Sequence, residues 1–155
     1  GIPLAVYAPH LTVTLLDSLN KRVRFLTEVT AAMGLQNVRC IHARAEEAAR
    51  TAEHRAAYDI AVSRAVARLP VLLEYTLPFV RVGGTLLALK GRAYTAEQKE
   101  ARRAAEVLGG GRITARLVRL PGLDDVRAML TVTKERQTPA AYPRGGGAPT
   151  RRPIV

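Results

Sequence analysis

The chain has 155 residues, enough for one domain with a hydrophobic core, and its hydrophobic content of 48% is typical of a globular protein. Twenty-four Lys and Arg residues against thirteen acids give a formal net charge of +11, which favours a polyanionic partner (RNA, DNA or anionic lipid) over a merely basic surface. No apolar run is long enough to span a membrane, and 5% aromatic residues without Trp argue against an aromatic stacking platform for RNA.

The start of the chain and its single cysteine concern processing and location. The chain opens on Gly1-Ile2-Pro3 without an initiator Met or a basic leader, so we expect no secretory signal and a fragment of a longer sequence. The lone Cys40 excludes an intramolecular disulfide and fits a reducing compartment. We therefore expect a cytoplasmic protein.

Helices and strands alternate along the predicted chain. Periodicity and turn residues predict helices over 3–7, 19–33 (stopped by Gly34), 44–57, 69–80 and 95–108, and strands over 12–16, 37–43, 58–63, 85–89, 113–120 and 126–135. Gly83-Gly84 predicts a turn, and 121–124 joins the last two strands.

This alternation predicts an α/β fold with a parallel sheet and helices on both faces. The last two strands have no helix between them and should be antiparallel neighbours. Residues 137–155 are rich in Pro, Gly and Arg, so we expect one domain over 1–136 and an extended, partly ordered basic tail over 137–155.

Polar residues stand where several predicted strands end. Asp17, Arg64 and Lys90 each close a strand, and Glu46 lies in the segment after a fourth. In an open parallel sheet these carboxyl ends lie on one rim, where ligands bind, and an acid such as Asp17 can accept hydrogen bonds from the ribose of an adenosine-containing cofactor. The alternatives are a helix N-cap for Asp17 and an acid favoured by the helix dipole for Glu46.

The sequence lacks the residue patterns of metal sites, phosphate-binding loops and nucleophilic catalysis. His10, His42 and His54 have no metal-ligand spacing with one another or with Cys40. There is no P-loop, no Gly-x-Ser-x-Gly elbow and no candidate nucleophilic triad.

A series of motifs resembles a known family. They are Leu-Leu-Asp-Ser-x-x-Lys-Arg-x-x-Phe-Leu at 15–26, Arg-Ala-Glu at 44–46, Tyr-Asp-x-x-x-Ser-Arg-Ala-Val-Ala at 58–67, Leu-x-x-Leu-Leu-Glu-Tyr-x-Leu-Pro at 69–78, Gly-Gly-x-Leu-Leu-Ala-Leu-Lys-Gly at 83–91, Leu-Pro-Gly at 120–122 and Tyr-Pro-Arg at 142–144. In this order they resemble the bacterial 16S ribosomal RNA methyltransferase G family, also called glucose-inhibited division protein B.

The resemblance implies a Rossmann-like class I methyltransferase with S-adenosylmethionine (SAM) as methyl donor. It implies N7 of a guanine in 16S ribosomal RNA as acceptor, the small ribosomal subunit as partner, and no membrane and no metal; we expect a monomer. Because N7 already carries a free lone pair, we name no catalytic acid or base. By position, the implied cofactor-binding residues are Asp17, Ala45, Glu46 and Arg64, and the implied RNA-binding residues are Lys21, Arg22, Lys90 and Arg144.

The chain departs from the family at its start. Family members carry a strand and a glycine loop that end in Phe-Pro-Gly-Ile-Pro-Leu, whereas this chain opens on Gly-Ile-Pro-Leu. We therefore expect the first strand and the glycine loop to be missing, which leaves a gap between the strands at 12–16 and 58–63 and unpaired edges that favour aggregation. Alternatively, those two strands pair directly.

Two other functions stay open on the residues alone. The missing glycine loop favours a non-catalytic RNA-binding remnant of the enzyme, which would not bind SAM. A nicotinamide-dependent dehydrogenase would bind NAD instead, and Asp17 alone does not separate it from a methyltransferase.

Overall fold

A computed structural model describes residues 1–122 and 125–155. Leu123 and Asp124, half of the predicted connection between the last two strands, lie outside the described residues. The chain forms two compact units, unit 1 (Gly1–Ala48) and unit 2 (Ala49–Val155). Within the described ranges, no helix combines the length and the hydrophobicity needed to cross a bilayer.

Unit 1 is a two-stranded parallel sheet with its connecting helices. Its elements are α1 (Ile2–Tyr7), β1 (Val13–Asp17), α2 (Asn20–Ala32), β2 (Val38–His42) and α3 (Ala45–Ala48). Gly34 has φ +65°, the left-handed conformation that ends a helix without steric cost, so the predicted stop after α2 is confirmed. The register sets Asp17 opposite His42, which places both carboxyl ends at one edge.

Unit 2 is built on a four-stranded sheet in the order β3-β4-β6-β5. Its elements are β3 (Tyr58–Arg64), α4 (Leu69–Thr76), a 3-10 turn (Leu77–Phe79), β4 (Val80–Lys90), α5 (Tyr94–Glu100), α6 (Arg102–Val107), β5 (Thr114–Val118), β6 (Arg127–Thr133) and α7 (Ala148–Arg151). β3 and β4 are parallel, whereas β6 runs antiparallel to both β4 and β5, as predicted for the final pair.

The described strands form two separate sheets, as expected for a chain that lacks the strand between β1 and β3. Among the described residues, β1 pairs only with β2, and β3 pairs only with β4 within its sheet. Direct pairing of the strands at 12–16 and 58–63, the alternative, is therefore wrong.

The core of unit 2 lies on one face of its sheet. Along β4 and β6 the buried residues alternate with less buried ones, so Leu86, Ala88, Leu130 and Val132 share that face. They pack against the apolar sides of α4 and α6 in a cluster that includes Leu69, Leu72, Leu73, Ala104 and Leu108. Each fully buried Leu stabilises the fold by about 2 kcal/mol.

The turn predicted at Gly83-Gly84 is wrong, because both glycines lie inside β4. The β3–β4 register is irregular between Tyr58 and Ile60, and Gly83 has φ +82°. A Cβ on Gly84 would lie 2.6 Å from the Asp59 carbonyl oxygen. The glycines thus allow an irregularity in the strand instead of reversing the chain.

The helix predicted over 44–57 ends at Ala48. In the segment that follows, Ala56 has φ +51° and its N–H donates to the Pro78 carbonyl oxygen at 2.8 Å. The Ala-rich composition favours a helix, but these tertiary contacts fix a different backbone.

The segment 137–155 is packed against unit 2, so the prediction of an extended, partly ordered tail is wrong. Arg50 donates to the Pro143 carbonyl oxygen at 2.7 Å, and Arg55 donates to those of Thr138 and Tyr142 at 2.8 and 2.9 Å. Glycine and proline content predicts flexibility, but it does not reveal that arginines elsewhere in the chain bind the backbone of this segment.

Candidate functional site

Asp17 lies at the end of β1 with part of its acceptor capacity free. Its Oδ1 accepts the Leu19 N–H at 2.8 Å, whereas Oδ2 lies 3.4 Å from an Arg22 nitrogen. Leu19, not Asp17, occupies the N-cap position of α2, so the N-cap alternative is wrong. With 23% of the side chain exposed, Oδ2 can accept a further hydrogen bond from a ligand hydroxyl.

Glu46 follows β2, in the first turn of the four-residue α3, as the helix-dipole alternative requires. Its side chain is only 8% exposed, and the nearest cation, Arg44, lies 3.9 Å away, too far for a hydrogen bond. Its carboxylate has no hydrogen bond to any described residue. Ser63 Oγ, and neither Glu46 oxygen, is the buried side-chain atom left without a hydrogen bond among the described residues, so the Glu46 carboxylate still reaches solvent and can accept from a ligand N–H or O–H. Ala45, beside it, is half-buried.

His42 is a residue at this edge that the sequence analysis missed. It stands opposite Asp17 in the β1–β2 register, and its Nε2 lies 3.1 Å from the Ser18 carbonyl oxygen. The contact fixes the loop after Asp17. Only the register of a parallel pair could have indicated it, since His42 has no motif around it.

Arg64 ends β3 and is exposed, without a side-chain hydrogen bond or ion pair to the residues that the structure describes. The next residue, Ala65, has φ +56°, a left-handed conformation that costs an alanine on the order of 1 kcal/mol. Such strain persists only where neighbouring contacts hold it, and it is common at ligand sites.

Lys90 and Glu97 supply those contacts. Lys90 Nζ donates to the Ala67 carbonyl oxygen at 2.6 Å and lies 2.7 Å from Glu97 Oε2. The same oxygen accepts the Leu69 N–H at 2.7 Å. With the two side chains 10% and 14% exposed, this largely buried ion pair holds the β3–α4 loop by its backbone at two points.

The loop borders a cleft of about 860 Å³ at the carboxyl ends of β3 and β4. That volume is in the range of small-molecule sites. Side chains that matter for its chemistry are Arg64, Arg68, Lys90, Glu97, Leu120 and Arg127. Glu97 is the acid among these described lining residues, and its Oε2 already binds Lys90 Nζ and the Leu69 N–H.

The four predicted RNA-binding residues divide into two groups. Lys21 and Arg22 are exposed on α2. Lys90 is held by Glu97, and Arg144 Nη2 and Nε lie 2.6 and 2.9 Å from the two carboxylate oxygens of Glu74, which is 1% exposed. The hydrogen bond to Glu74 raises the pKa of Arg144 above its ordinary value. The structure therefore gives Lys90 and Arg144 structural roles that leave little capacity for phosphate.

Within each unit the predicted site residues meet at one edge: Asp17, Ala45 and Glu46 in unit 1, and Arg64 and Lys90 in unit 2. That all of them share one rim stays a prediction.

Solved structures of methyltransferases share this fold at low sequence identity. A predicted O-methyltransferase from Agrobacterium tumefaciens aligns with a TM-score of 0.70 at 18% identity, over 89% of this chain and 69% of that one. The 16S rRNA (adenine(1408)-N(1))-methyltransferase of Catenulisporales acidiphilia aligns with a TM-score of 0.67 at 15% identity, over 88% and 79%. The fold is thus that of the class I methyltransferases, as the sequence predicts.

Curated relatives are far more similar. The Ribosomal RNA small subunit methyltransferase G of Alkaliphilus metalliredigens is 49% identical over 99% of this chain, and that of Desulforamulus reducens is 46% identical over 100%. The chain spans 64% and 65% of the length of these relatives. The sequence profile of GidB, described as rRNA small subunit methyltransferase G, matches residues 1–119. This removes the dehydrogenase alternative and confirms the predicted resemblance: the chain belongs to the rRNA small subunit methyltransferase G family.

Proposed function

We propose that the protein is a SAM-dependent methyltransferase that methylates N7 of a guanine in 16S ribosomal RNA, acting as a monomer in the cytoplasm on RNA of the small ribosomal subunit. The observation that carries this proposal is the family match over residues 1–119, which includes both edges described above.

The cofactor contacts in this proposal come from unit 1. The adenosine part of SAM presents ribose hydroxyls and an amino group, all hydrogen-bond donors. Asp17 Oδ2 and the Glu46 carboxylate are acceptors with free capacity, at the carboxyl ends of adjacent parallel strands. Asp17 would hold the ribose, and Ala45 and Glu46 would lie along the adenine. When bound, SAM supplies a methyl group activated by its sulfonium.

The acceptor contacts in this proposal come from unit 2. Guanine N7 has a free lone pair, so its attack on the methyl carbon needs no general base. The 860 Å³ cleft agrees with that requirement, because its described acid, Glu97, is held by Lys90 and by the Leu69 N–H. The contribution of the protein is therefore alignment of the base and exclusion of water.

Arg64 is the side chain best suited to orient the reacting groups. It lines the cleft, and its guanidinium has no partner among the described residues. A guanidinium commonly binds guanine at O6 and N7; here it would donate to O6 alone and leave N7 free to react. Lys90 and Glu97 would act indirectly, by fixing the loop that begins next to Arg64.

RNA phosphates would be held in part by Lys21 and Arg22, the predicted RNA-binding residues that are exposed. Such contacts make RNA affinity fall with salt concentration.

The experiment that tests the proposal is methyl transfer from isotopically labelled SAM to 16S ribosomal RNA taken from cells that lack this gene, followed by chemical cleavage at N7-methylguanine. We expect label at one guanine N7. Arg64→Ala should lower the transfer rate roughly 100-fold, in the range reported for loss of one positioning group, whereas Arg81→Ala, at an exposed arginine paired with Asp59, should not.

Three results would contradict parts of this proposal. Label on another base or atom would refute the N7 assignment. Retained RNA binding without SAM binding or transfer would support the alternative, a non-catalytic RNA-binding module. Full activity and SAM affinity in a folded Arg64→Ala variant would refute the role given to Arg64.

A further inference from the structure

Exposed arginines stand in and on both sides of the edge strand β5 (Thr114–Val118). Arg112, Arg116 and Arg119 are all exposed, and no acidic residue occurs between Glu106 and Asp124. β5 is the terminal strand in the order β3-β4-β6-β5. We call residues 112–119 the basic edge.

Most other arginines in unit 2 make a side-chain hydrogen bond or an ion pair, whereas these three make none with the residues that the structure describes. Ion pairs in this unit join Arg68 to Glu100, Arg81 to Asp59, Arg127 to Asp125 and Arg144 to Glu74. Within residues 1–122 and 125–155, no side-chain hydrogen bond or ion pair involves Arg112, Arg116 or Arg119. None of the described acids therefore forms an ion pair that neutralises their charge.

The basic edge is continuous with the cleft assigned to the acceptor base. Val118, at the end of β5, lines the 860 Å³ cleft together with Leu120. At the other end of the strand, Arg112 lines a second cleft of about 470 Å³ together with Arg102. At about 3.3 Å per residue of extended chain, Arg112 and Arg119 lie at most roughly 23 Å apart, a distance that spans several nucleotides of a single strand.

A purely structural reason for the arginines is protection of the edge, since charged residues on edge strands prevent pairing with another chain. That reason explains charge on β5. It does not explain why exposed arginines continue beyond both ends of the strand. Arg112 lines the 470 Å³ cleft, and Arg119 lies in the chain between Val118 and Leu120, which line the 860 Å³ cleft.

We propose that the basic edge binds the phosphodiester backbone of the RNA substrate and leads the target nucleotide into the 860 Å³ cleft. This inference rests on the proposed function, because it takes the substrate to be RNA. It assigns the RNA contacts to residues other than Lys90 and Arg144, which the fold already uses.

The test is a salt titration of binding to a short fluorescent single-stranded RNA. The basic-edge variant replaces Arg112, Arg116 and Arg119 by Gln. The matched control replaces three other exposed arginines, Arg24, Arg151 and Arg152, by Gln, so that both variants lose the same charge. Each lost phosphate contact lowers the slope of log K against log salt by about 0.7 for a single strand. We expect the slope to fall by about 2 in the basic-edge variant and by less than about 0.7 in the control.

A third variant, with Lys at the same three positions, separates charge from fold, because it keeps both the phosphate contacts and the protection of the edge. It should retain most of the slope. Equal slopes in the basic-edge and control variants would overturn the inference while leaving the proposed function standing. An aggregated Gln variant with an unchanged slope would overturn it in favour of edge protection. Failure of the unaltered protein to bind RNA would overturn both proposals.

Discussion

Four carboxylates, two in each unit, differ in how fully their oxygens are bonded. In unit 1, Asp17 and Glu46 lie 3.4 and 3.9 Å from arginine nitrogens, and only Oδ1 of Asp17 accepts a backbone N–H, that of Leu19. In unit 2, Glu74 and Glu97 bind their cations at 2.6 and 2.7 Å and also accept backbone N–H groups. Acidic residues thus have two roles in this protein. The pair in unit 1 can still accept hydrogen bonds from a ligand, whereas the pair in unit 2 stabilises the fold.

The largest expected effect is on Glu74. Glu74→Ala removes the carboxylate that holds Arg144 and, through its backbone N–H, the segment after Pro143. Breaking a buried ion pair by removing one partner typically costs about 3–5 kcal/mol; since Arg144 is 30% exposed, we expect about 3 kcal/mol. Urea unfolding measures it. Glu47→Ala, at an exposed acid, should change the free energy of unfolding by less than about 0.5 kcal/mol. If Glu74→Ala and Glu47→Ala lowered the free energy of unfolding equally, Glu74 would not have the stabilising role given to it here.

Lys134 is a buried cation whose described hydrogen-bond acceptors are neutral oxygen atoms instead of a carboxylate. Its ammonium donates to the Leu77 carbonyl oxygen at 2.6 Å and to the Thr138 hydroxyl. Burial, with a smaller effect of Arg55, lowers the pKa of Lys134 to about 8. Between pH 8 and 10.5 the unfolded chain therefore binds more protons at this residue, so its contribution to stability rises with pH across that range.

The measurement is the free energy of unfolding of the unaltered protein minus that of Lys134→Met. The difference should rise by about 2–3 kcal/mol from pH 8 to pH 10.5, since one pKa unit corresponds to about 1.4 kcal/mol. A difference independent of pH would mean that the ammonium is not destabilised by burial.

Asp17→Asn tests whether the Asp17 carboxylate in unit 1 accepts a hydrogen bond from the ribose of SAM. The amide oxygen can still accept the Leu19 N–H, so stability should change by less than about 0.5 kcal/mol. Loss of a charge-assisted hydrogen bond to the ribose should weaken SAM binding roughly tenfold, or about 1.4 kcal/mol. Glu47→Gln removes the same charge nearby in the chain and serves as the calorimetric control. Equal loss in both variants would indicate net charge instead of a ribose contact.

Glu97→Gln should have the smallest effect on activity. Its amide oxygen can still accept from the Leu69 N–H and from Lys90, but without the opposite charge. We expect a roughly threefold lower rate of methyl transfer at saturating SAM, with SAM affinity unchanged, because the pair acts on the β3–α4 loop. A change confined to SAM affinity would contradict that positioning role.

The sequence predicted the alternation of elements and the antiparallel pair at the end, because periodicity and strand-to-helix spacing are local properties. The separation of β1 from β3 was implied by the family resemblance, through the strand that this sequence lacks. The sequence also placed Asp17, Glu46, Arg64 and Lys90 at strand ends or just after them. It missed the end of the helix after β2, where Ala56 donates to the Pro78 carbonyl oxygen. It also missed the packing of 137–155, which depends on Arg50 and Arg55 contacting residues more than eighty positions away.

The roles of charged residues were the least predictable. Lys90 and Arg144 look like free cations in a basic sequence, and only the fold shows that Glu97 and Glu74 bind them. Conversely, the sequence did not single out the arginines of the basic edge, because nothing local distinguishes an unpaired arginine from a paired one.

The most direct test of the central claim, that the loosely bonded carboxylates of unit 1 belong to a cofactor site, is isothermal titration of the protein with SAM. We predict one site with a dissociation constant in the micromolar range, and heat that decreases in Asp17→Asn but not in Glu47→Gln. Absence of SAM binding by folded protein would contradict the account.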